Sequence, residues 1–177
     1  MKTAAVLVVL FAWVSVRATD TETKASGLSV DVSEYCASNF PRRCHRTGAW
    51  YRVGNHCLGY FRRPLNFTDA EFRCRTVVHG GHLVSVHSYH ANLQLLCIVM
   101  KHNHGHPRIW MGGMEMFRSK KFIWTDGSIW NYNAWVPGQP DNTNNVEDCV
   151  EMNWSYTGKW NDDTCSRRKS FVCSYKA

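Results

Sequence analysis

The pattern of hydrophobic and polar residues predicts two helices near the middle of the chain. The first follows Thr68-Asp69-Ala70-Glu71, a capping box in which the threonine hydroxyl and the glutamate carboxylate each satisfy a backbone amide. We expect it to end at Gly80-Gly81. Ser88 is the expected cap of the second helix, in which four apolar side chains share one face: Leu93, Leu96, Cys97 and Met100.

Short segments rich in aromatic and β-branched residues predict strands on both sides of these helices. Residues 49–53 and 56–61 flank Gly54-Asn55 and predict a hairpin. Further strands are expected at 83–86, 109–112, 122–125, 149–154 and 170–175. The polar stretch 126–148 is long for a connection in a compact domain, which indicates a functional loop. The prediction is an α+β fold of two helices and short antiparallel sheets that carries this loop.

The N-terminus has the layout of a secretory signal peptide. Lys2 precedes an apolar run at 4–16, and Val16-Arg17-Ala18 offers a cleavage site. The run is shorter than the roughly 20 residues that a membrane-spanning helix needs. We therefore expect a secreted protein with a signal peptide at 1–18, a flexible extension at 19–43 and one domain at 44–177.

Charge and cysteine content narrow the class of protein further. The formal charge of +7 falls to +5 without residues 1–18, and the basic residues form short clusters without a nucleic-acid motif. Such clusters can meet polyanions, although a solvated basic surface is the commoner case. Eight cysteines in a secreted chain imply disulfides, but spacing alone leaves 105 possible pairings open.

Oxygen-bearing side chains are concentrated between residues 136 and 163. They are Gln139, Asp141, Glu147, Asp148, Asn161, Asp162 and Asp163. Calcium takes six to eight oxygen ligands of these types, whereas zinc and copper favour histidine or thiolate. The donors lie in two separate stretches, unlike the contiguous loop of an EF-hand. Composition alone more often indicates solvated turns, so the metal hypothesis depends on the motifs.

Five motifs occur in a fixed order and together resemble the carbohydrate-recognition domain of C-type lectins. They are Trp110-Met111-Gly112-Gly113, Trp124-Thr125-Asp126-Gly127, Gln139-Pro140-Asp141, Glu147-Asp148-Cys149 and Trp160-Asn161-Asp162, with Cys173 near the end. The resemblance covers about residues 44–175. The chain is also similar to secreted single-domain lectins of fish and snake venom, and is identified on these motifs as a member of that family.

The resemblance implies a double-looped α/β fold with three disulfides and one calcium site that touches sugar. The implied disulfides are Cys44–Cys57, Cys74–Cys173 and Cys149–Cys165. The implied calcium ligands are Gln139, Asp141, Glu147, Asn161 and Asp162, and Pro140 is expected to follow a cis peptide bond.

The order of amide and carboxylate around Pro140 predicts the sugar. In the family, Gln-Pro-Asp resembles galactose-type selection and Glu-Pro-Asn resembles mannose-type selection, so we expect galactose or N-acetylgalactosamine. Two sugar hydroxyls would bind calcium while Gln139, Asp141, Glu147 and Asn161 exchange hydrogen bonds with them. No aromatic residue follows Asp141, so Trp154 or Tyr156 is the expected stacking partner, although Trp154 could equally pack in the core.

The three implied disulfides leave Cys36 and Cys97. We expect an interchain Cys36 bridge that makes a homodimer; an intramolecular Cys36–Cys97 bond is the competing hypothesis. Asn66 begins a glycosylation sequon, and Asn153 begins a second one that we expect to be unused beside the sugar site. His102, His104 and His106 could bind zinc, but a solvated helix end is the stronger expectation.

The expected function is calcium-dependent binding of galactose-containing glycans on cell or microbial surfaces, in agglutination or innate recognition. The alternative is a lectin-like protein that turns the same loop towards a protein or ice surface. We expect no enzyme activity, because no nucleophile pairs with a base near the loop.

Overall fold

The structure, a computed structural model, describes residues 31–45 and 48–177. The predicted signal peptide and the first part of the predicted extension lie outside these residues. Among the helices of the described part, none combines the length and the apolar character needed to cross a membrane.

Within the described residues three α-helices form, one more than the sequence pattern predicted. The additional helix α1 (Val32–Asn39) lies in the segment expected to be a flexible extension. Asp31 caps it by accepting hydrogen bonds from the backbone amides of Ser33 (2.8 Å) and Glu34 (3.3 Å). An aspartate at this position satisfies amide groups that have no partner inside the helix. The structure therefore has a capped helix where the sequence pattern predicted an extension without secondary structure.

Helices α2 (Phe67–Val77) and α3 (Tyr89–His102) are the two predicted ones. Ser88 caps α3 as expected by accepting from the amide of Ala91. The cap of α2 is Asn66 instead of Thr68, and its side chain accepts from the amide of Asp69 at 2.8 Å. The expected capping box fails because the Glu71 carboxylate turns inward, where it accepts from the amide of Leu83 at 2.8 Å.

Eight strands, all in the part of the chain that the structure describes, form a single connected sheet. They are β1 (Trp50–Val53), β2 (His56–Leu65), β3 (His82–Leu83), β4 (Ile109–Glu115), β5 (Phe122–Trp124), β6 (Cys149–Met152), β7 (Trp160–Asp163) and β8 (Lys169–Lys176). The strand order is β1-β2-β8-β4-β6-β7, with β3 on β8 and β5 on β4. All pairs are antiparallel except β4 with β8, which is parallel. The α+β class is confirmed, but the expected separate antiparallel sheets form one mixed sheet.

Glycine allows the close packing at the centre of this sheet. A side chain on Gly112 would place its Cβ 2.7 Å from the carbonyl oxygen of Leu83, and one on Gly113 would meet Val150 at 2.7 Å. Both contacts are too short for any Cβ atom, so β4 can lie here only with glycine at these positions. This explains the Gly112-Gly113 pair of the first motif.

The long loop is held on the sheet by aromatic packing around Trp160. This fully buried ring contacts the rings of Trp124, Trp130, Tyr132 and Trp135, with centroids 5.6–5.9 Å apart. Its backbone amide donates to Ala134, and its carbonyl oxygen accepts from Val136, both at 2.9 Å. The aromatic residues of the loop therefore pack inward and fix residues 130–136 beside β7.

Four disulfides use all eight cysteines. Three are those that the resemblance implied, namely Cys44–Cys57, Cys74–Cys173 and Cys149–Cys165. The fourth joins Cys36 on α1 to Cys97 on α3. The expected interchain Cys36 bridge, and the covalent homodimer built on it, are corrected, because the Cys36 sulfur is bonded within the chain.

We predict that the protein migrates as a monomer on a non-reducing gel and that disulfide mapping recovers a Cys36–Cys97 peptide. Replacing both cysteines, Cys36→Ser with Cys97→Ala, should lower the free energy of unfolding by about 2–4 kcal/mol, because the closed loop of 61 residues is released. Chemical denaturation measures this loss. Migration at twice the monomer mass would contradict the assignment.

Candidate calcium and sugar site

Three carboxylates meet where the long loop lies against β7. Single oxygens of Asp141, Glu147 and Asp162 all lie within 4.8 Å of one another. Asp141 is exposed, Glu147 is half-buried and Asp162 is fully buried. Within the described residues, this is the only group of three or more acidic, histidine or cysteine side chains with such spacing. It brings together three of the five expected metal ligands.

The fourth expected ligand, Gln139, lies directly beside Asp141. The peptide bond between Gln139 and Pro140 is cis, as the resemblance implied. The Gln139 amide Nε2 donates to Asp141 Oδ2 at 3.2 Å, and Gln139 Oε1 accepts from the Asp141 backbone amide at 3.0 Å. The two side chains on either side of Pro140 therefore face each other.

Asn142 connects the two arms of the loop. It adopts a left-handed conformation (φ 47°), which asparagine tolerates better than most residues. Its backbone amide donates to Asp162 Oδ2 at 2.8 Å, and its side-chain oxygen accepts from the Glu147 amide at 3.1 Å. Its side-chain nitrogen donates to Glu115 on β4 at 3.1 Å. Sequence reasoning missed Asn142 and Glu115, since nothing local distinguishes them from other polar residues.

The fifth expected ligand, Asn161, faces away from the carboxylates. Neighbouring residues of a strand point to opposite faces of the sheet. The register pairs Asn161 with Glu151 and Asp162 with Val150. Accordingly, the Asn161 amide nitrogen donates to Glu151 (3.0 Å) and to the carbonyl oxygen of Asp162. Its buried Oδ1 has no hydrogen-bond partner among the described residues.

Asp163 also lies on that opposite face, in a buried ionic cluster. It contacts Arg108 (2.8 Å) and Lys169 (2.5 Å), and both cations also contact Glu151. Ion pairs this deeply buried must be fully matched, because removing one partner leaves an uncompensated charge. Asp163 was a candidate oxygen donor by sequence, but its charge is used here to hold β6, β7 and β8 together.

Negative charge is crowded within the carboxylate group. Burial and the neighbouring carboxylates Asp162, Asp163 and Asp141 raise the pKa of Glu147. Burial and the charge of Asp141 likewise raise the pKa of Asp162. In contrast, a hydrogen bond from Thr143 lowers the pKa of Asp141. An oxygen-only donor set with this excess of negative charge fits a hard cation such as calcium.

The aromatic residues expected to stack on sugar do not line the cleft beside the carboxylate group. Trp154 and Tyr156 are on the turn between β6 and β7, and neither lines the cleft of about 270 Å³ beside Pro140 and Asp141. The aromatic side chain in that cleft is Phe122 of β5. Sequence reasoning missed Phe122 because it is some twenty residues away from the loop motif.

The two sequons have different structural roles. Asn66 is the cap of α2, and its amide nitrogen donates to Asp69 Oδ2 at 2.9 Å. Asn153 holds the turn between β6 and β7, donating to Pro107 and accepting from Gly158. Glycosylation at Asn66 remains a prediction.

Among relatives of known sequence, three illustrate the similarity. The chain is 36% identical to "Lectin" of Pleurodeles waltl over 76% of its own length and 80% of the relative. It is 33% identical to a "C-type lectin mannose-binding isoform" of Notechis scutatus scutatus, covering 72% of this chain and 81% of the relative. It is 29% identical to the "Galactose-specific lectin nattectin" of Thalassophryne nattereri, covering 85% and 89%.

Solved structures show the same fold. C-type lectin CEL-I from Cucumaria echinata matches with a TM-score of 0.69 and 28% identity, covering 74% of this chain and 97% of that one. Herring type II antifreeze protein matches with a TM-score of 0.67 and 25% identity, covering 75% and 99%. The model of the lectin C-type domain matches residues 63–175. The chain therefore belongs to the C-type lectin domain family of carbohydrate-binding proteins.

Proposed function

We propose that this chain is a secreted, calcium-dependent lectin that binds terminal galactose or N-acetylgalactosamine on cell or microbial surfaces. The observation that carries the proposal is the convergence of Asp141, Glu147 and Asp162 beside Gln139-Pro140. The signal-peptide pattern and the four disulfides support secretion.

The proposed calcium ligands are the carboxylates of Asp141, Glu147 and Asp162 and the carbonyl oxygen of Gln139. Asn161 would serve as a fifth ligand only if its side chain turned from Glu151, so that the unpartnered Oδ1 met the ion. Calcium, when bound, would supply open coordination positions for two adjacent sugar hydroxyls. The buried Asp162 also accepts two backbone amides of the loop, so it ties the ion to the sheet.

Hydrogen bonds from the ligands would select the sugar. Gln139 Nε2 is an amide donor, while Asp141 and Glu147 are acceptors. The Asn161 nitrogen is bonded to Glu151, which leaves Gln139 as the amide donor at the exposed side of the site. An amide before Pro140 and a carboxylate after it is the galactose-type order, and nattectin, which has a galactose-specific name, is one relative.

Binding to one sugar by a few exposed contacts is expected to be weak, near millimolar. Agglutination requires at least two sites held together. Since Cys36 is bonded within the chain, such an assembly would need non-covalent contacts. Recognition of a microbial surface by many separate chains has no such requirement.

The alternative function is binding of ice or protein through the same loop. The observation that favours this alternative is the fold shared with herring type II antifreeze protein. Inhibited ice growth without calcium-dependent sugar binding would favour this alternative. The family assignment supports a binding protein instead of an enzyme.

Exchanging the amide and the carboxylate should change the sugar. We predict that Gln139→Glu with Asp141→Asn lowers galactose binding roughly tenfold or more and favours mannose, because donors and acceptors around the hydroxyls are reversed. A glycan array with and without calcium measures both selectivities. Galactose binding by the unaltered protein that survives a chelator would contradict the proposal.

Loss of the Asn142 side chain should weaken calcium binding. We predict that Asn142→Ala reduces calcium affinity roughly tenfold, since two hydrogen bonds that position Glu147 and the loop are lost. Calorimetric titration with calcium measures the change. Asn144→Ala is the matched control, because Asn144 is exposed and also has a left-handed backbone (φ 57°). Equal losses in both variants would contradict a specific role for Asn142.

Acid should remove the stabilisation that calcium provides. The pKa values of Glu147 and Asp162 are raised in the folded protein, so the calcium-free protein loses stability as pH rises through these values. Bound calcium offsets the repulsion between the ionised carboxylates. As pH falls through the same values, protons displace calcium. We predict that calcium raises the melting temperature at neutral pH and leaves the melting temperature unchanged at about pH 4. Equal increments at both pH values would contradict this.

A further inference from the structure

The cleft beside the carboxylate group has a basic wall that the proposed sugar site does not use. It is bounded on one side by Pro140, Asp141 and Asn142 of the loop. On the other side it is bounded by Arg118 and Lys120, from the turn between β4 and β5. A ligand held at Asp141 would therefore have two cationic side chains within the same cleft.

Both cations are free to bind a ligand. Arg118 and Lys120 are exposed, and no ion pair within residues 31–45 and 48–177 involves either side chain. Lys120 contributes to the local structure only through its backbone amide, which donates to Glu115 Oε1 at 2.5 Å. Their ammonium and guanidinium groups are thus not used in holding the turn.

The acidic residues of the cleft are already engaged. Glu115 is buried, and its two oxygens accept from Lys120 and Asn142. Asp141 and Asp162 belong to the proposed calcium site. Apart from Asp141, the exposed charged side chains that line the cleft are therefore the cations Arg118 and Lys120, which complement an anion.

The turn that carries the cations is fixed by its own hydrogen bonds. The Met116 amide donates to the carbonyl oxygen of Lys121 at 2.8 Å, and the Ser119 amide donates to Met116 at 3.0 Å. A turn ordered before binding loses less conformational entropy when a ligand arrives.

We propose that Arg118 and Lys120 bind an anionic substituent, a sulfate or a carboxylate, on the glycan held at Asp141. The inference rests on the proposed sugar-binding function and names its preferred ligands as acidic galactosides. A guanidinium offers paired donors to the oxygens of such a group, and lysine adds a point charge. Phe122, which lines the same cleft, offers an apolar surface to the sugar ring that carries the substituent.

The test compares neutral galactose with galactose sulfated at O3 or O6 and with sialylated galactose, all immobilised, in the presence of calcium. The unaltered protein should prefer at least one acidic form roughly fivefold or more, as expected for partly exposed charge-assisted hydrogen bonds. The preference should fall as salt is added, since exposed charges are screened. Arg118→Gln with Lys120→Gln should abolish it.

Lys121→Gln is the matched control. Lys121 is a cation of the same turn but does not line the cleft, so this variant should keep most of the preference. Neutral-galactose binding is measured in parallel on every variant, which separates loss of the anion contact from loss of the fold.

The outcomes distinguish the cleft from the sugar site. Equal binding of neutral and acidic galactosides would overturn the proposal that Arg118 and Lys120 bind an anionic substituent. A preference that the double variant retains would overturn it too. Both results leave the proposed function intact. Absence of calcium-dependent binding to all of these sugars contradicts both. Binding to vesicles of anionic phospholipid without a preference among glycans would assign the cations, with the exposed Phe117 nearby, to a lipid surface and also overturn the inference.

Discussion

The packing of Trp160 is the constraint on which the site depends. The buried indole joins four aromatic rings, donates to Asn92 on α3 at 2.8 Å, and pairs its backbone with residues 134 and 136. The same residue lies two positions before Asp162, and Gln139 lies three positions after Val136. One buried side chain therefore brings the two stretches of oxygen donors together. The polar residues that follow Val136 have little apolar surface to fix their path, so the aromatic cluster at residues 130–136 and Trp160 fixes where they begin.

Side chains along β7 point to alternate faces of the sheet, which separates the carboxylate available to a cation from the carboxylates neutralised by ion pairs. Asp162 faces the loop, where its raised pKa reflects burial near other carboxylates, and it is available to a cation. Asn161 and Asp163 face the other side, where Arg108 and Lys169 neutralise the buried acids Glu151 and Asp163. The ionic cluster anchors the strand, while the loop face retains an excess of negative charge. The same three-residue segment thus contributes to stability on one face and to proposed ligand binding on the other.

Sequence predicted the helices α2 and α3, the hairpin and the strands because each has a local periodicity or a local cap. It missed α1, whose weak amphipathicity gives little signal and whose position depends on Cys97, 61 residues away. Motifs located Asp141, Glu147 and Asp162, yet no local pattern indicated that Glu115 supports Asn142 or that Phe122 and Lys120 share a cleft with Pro140. These contacts join segments that are distant in sequence, and they arise only from the tertiary fold. Nor did the sequence indicate that the Asn161 amide nitrogen bonds Glu151, across β7 from Asp162.

The central claim is that the carboxylates at the loop hold a calcium ion on which the sugar binds. An anomalous difference map from crystals grown with calcium and galactose tests it most directly. The account predicts a peak coordinated by Asp141, Glu147 and Asp162, with two adjacent galactose hydroxyls bound to the same ion. A map with no ion among these carboxylates, or with galactose bound away from the ion, would contradict it.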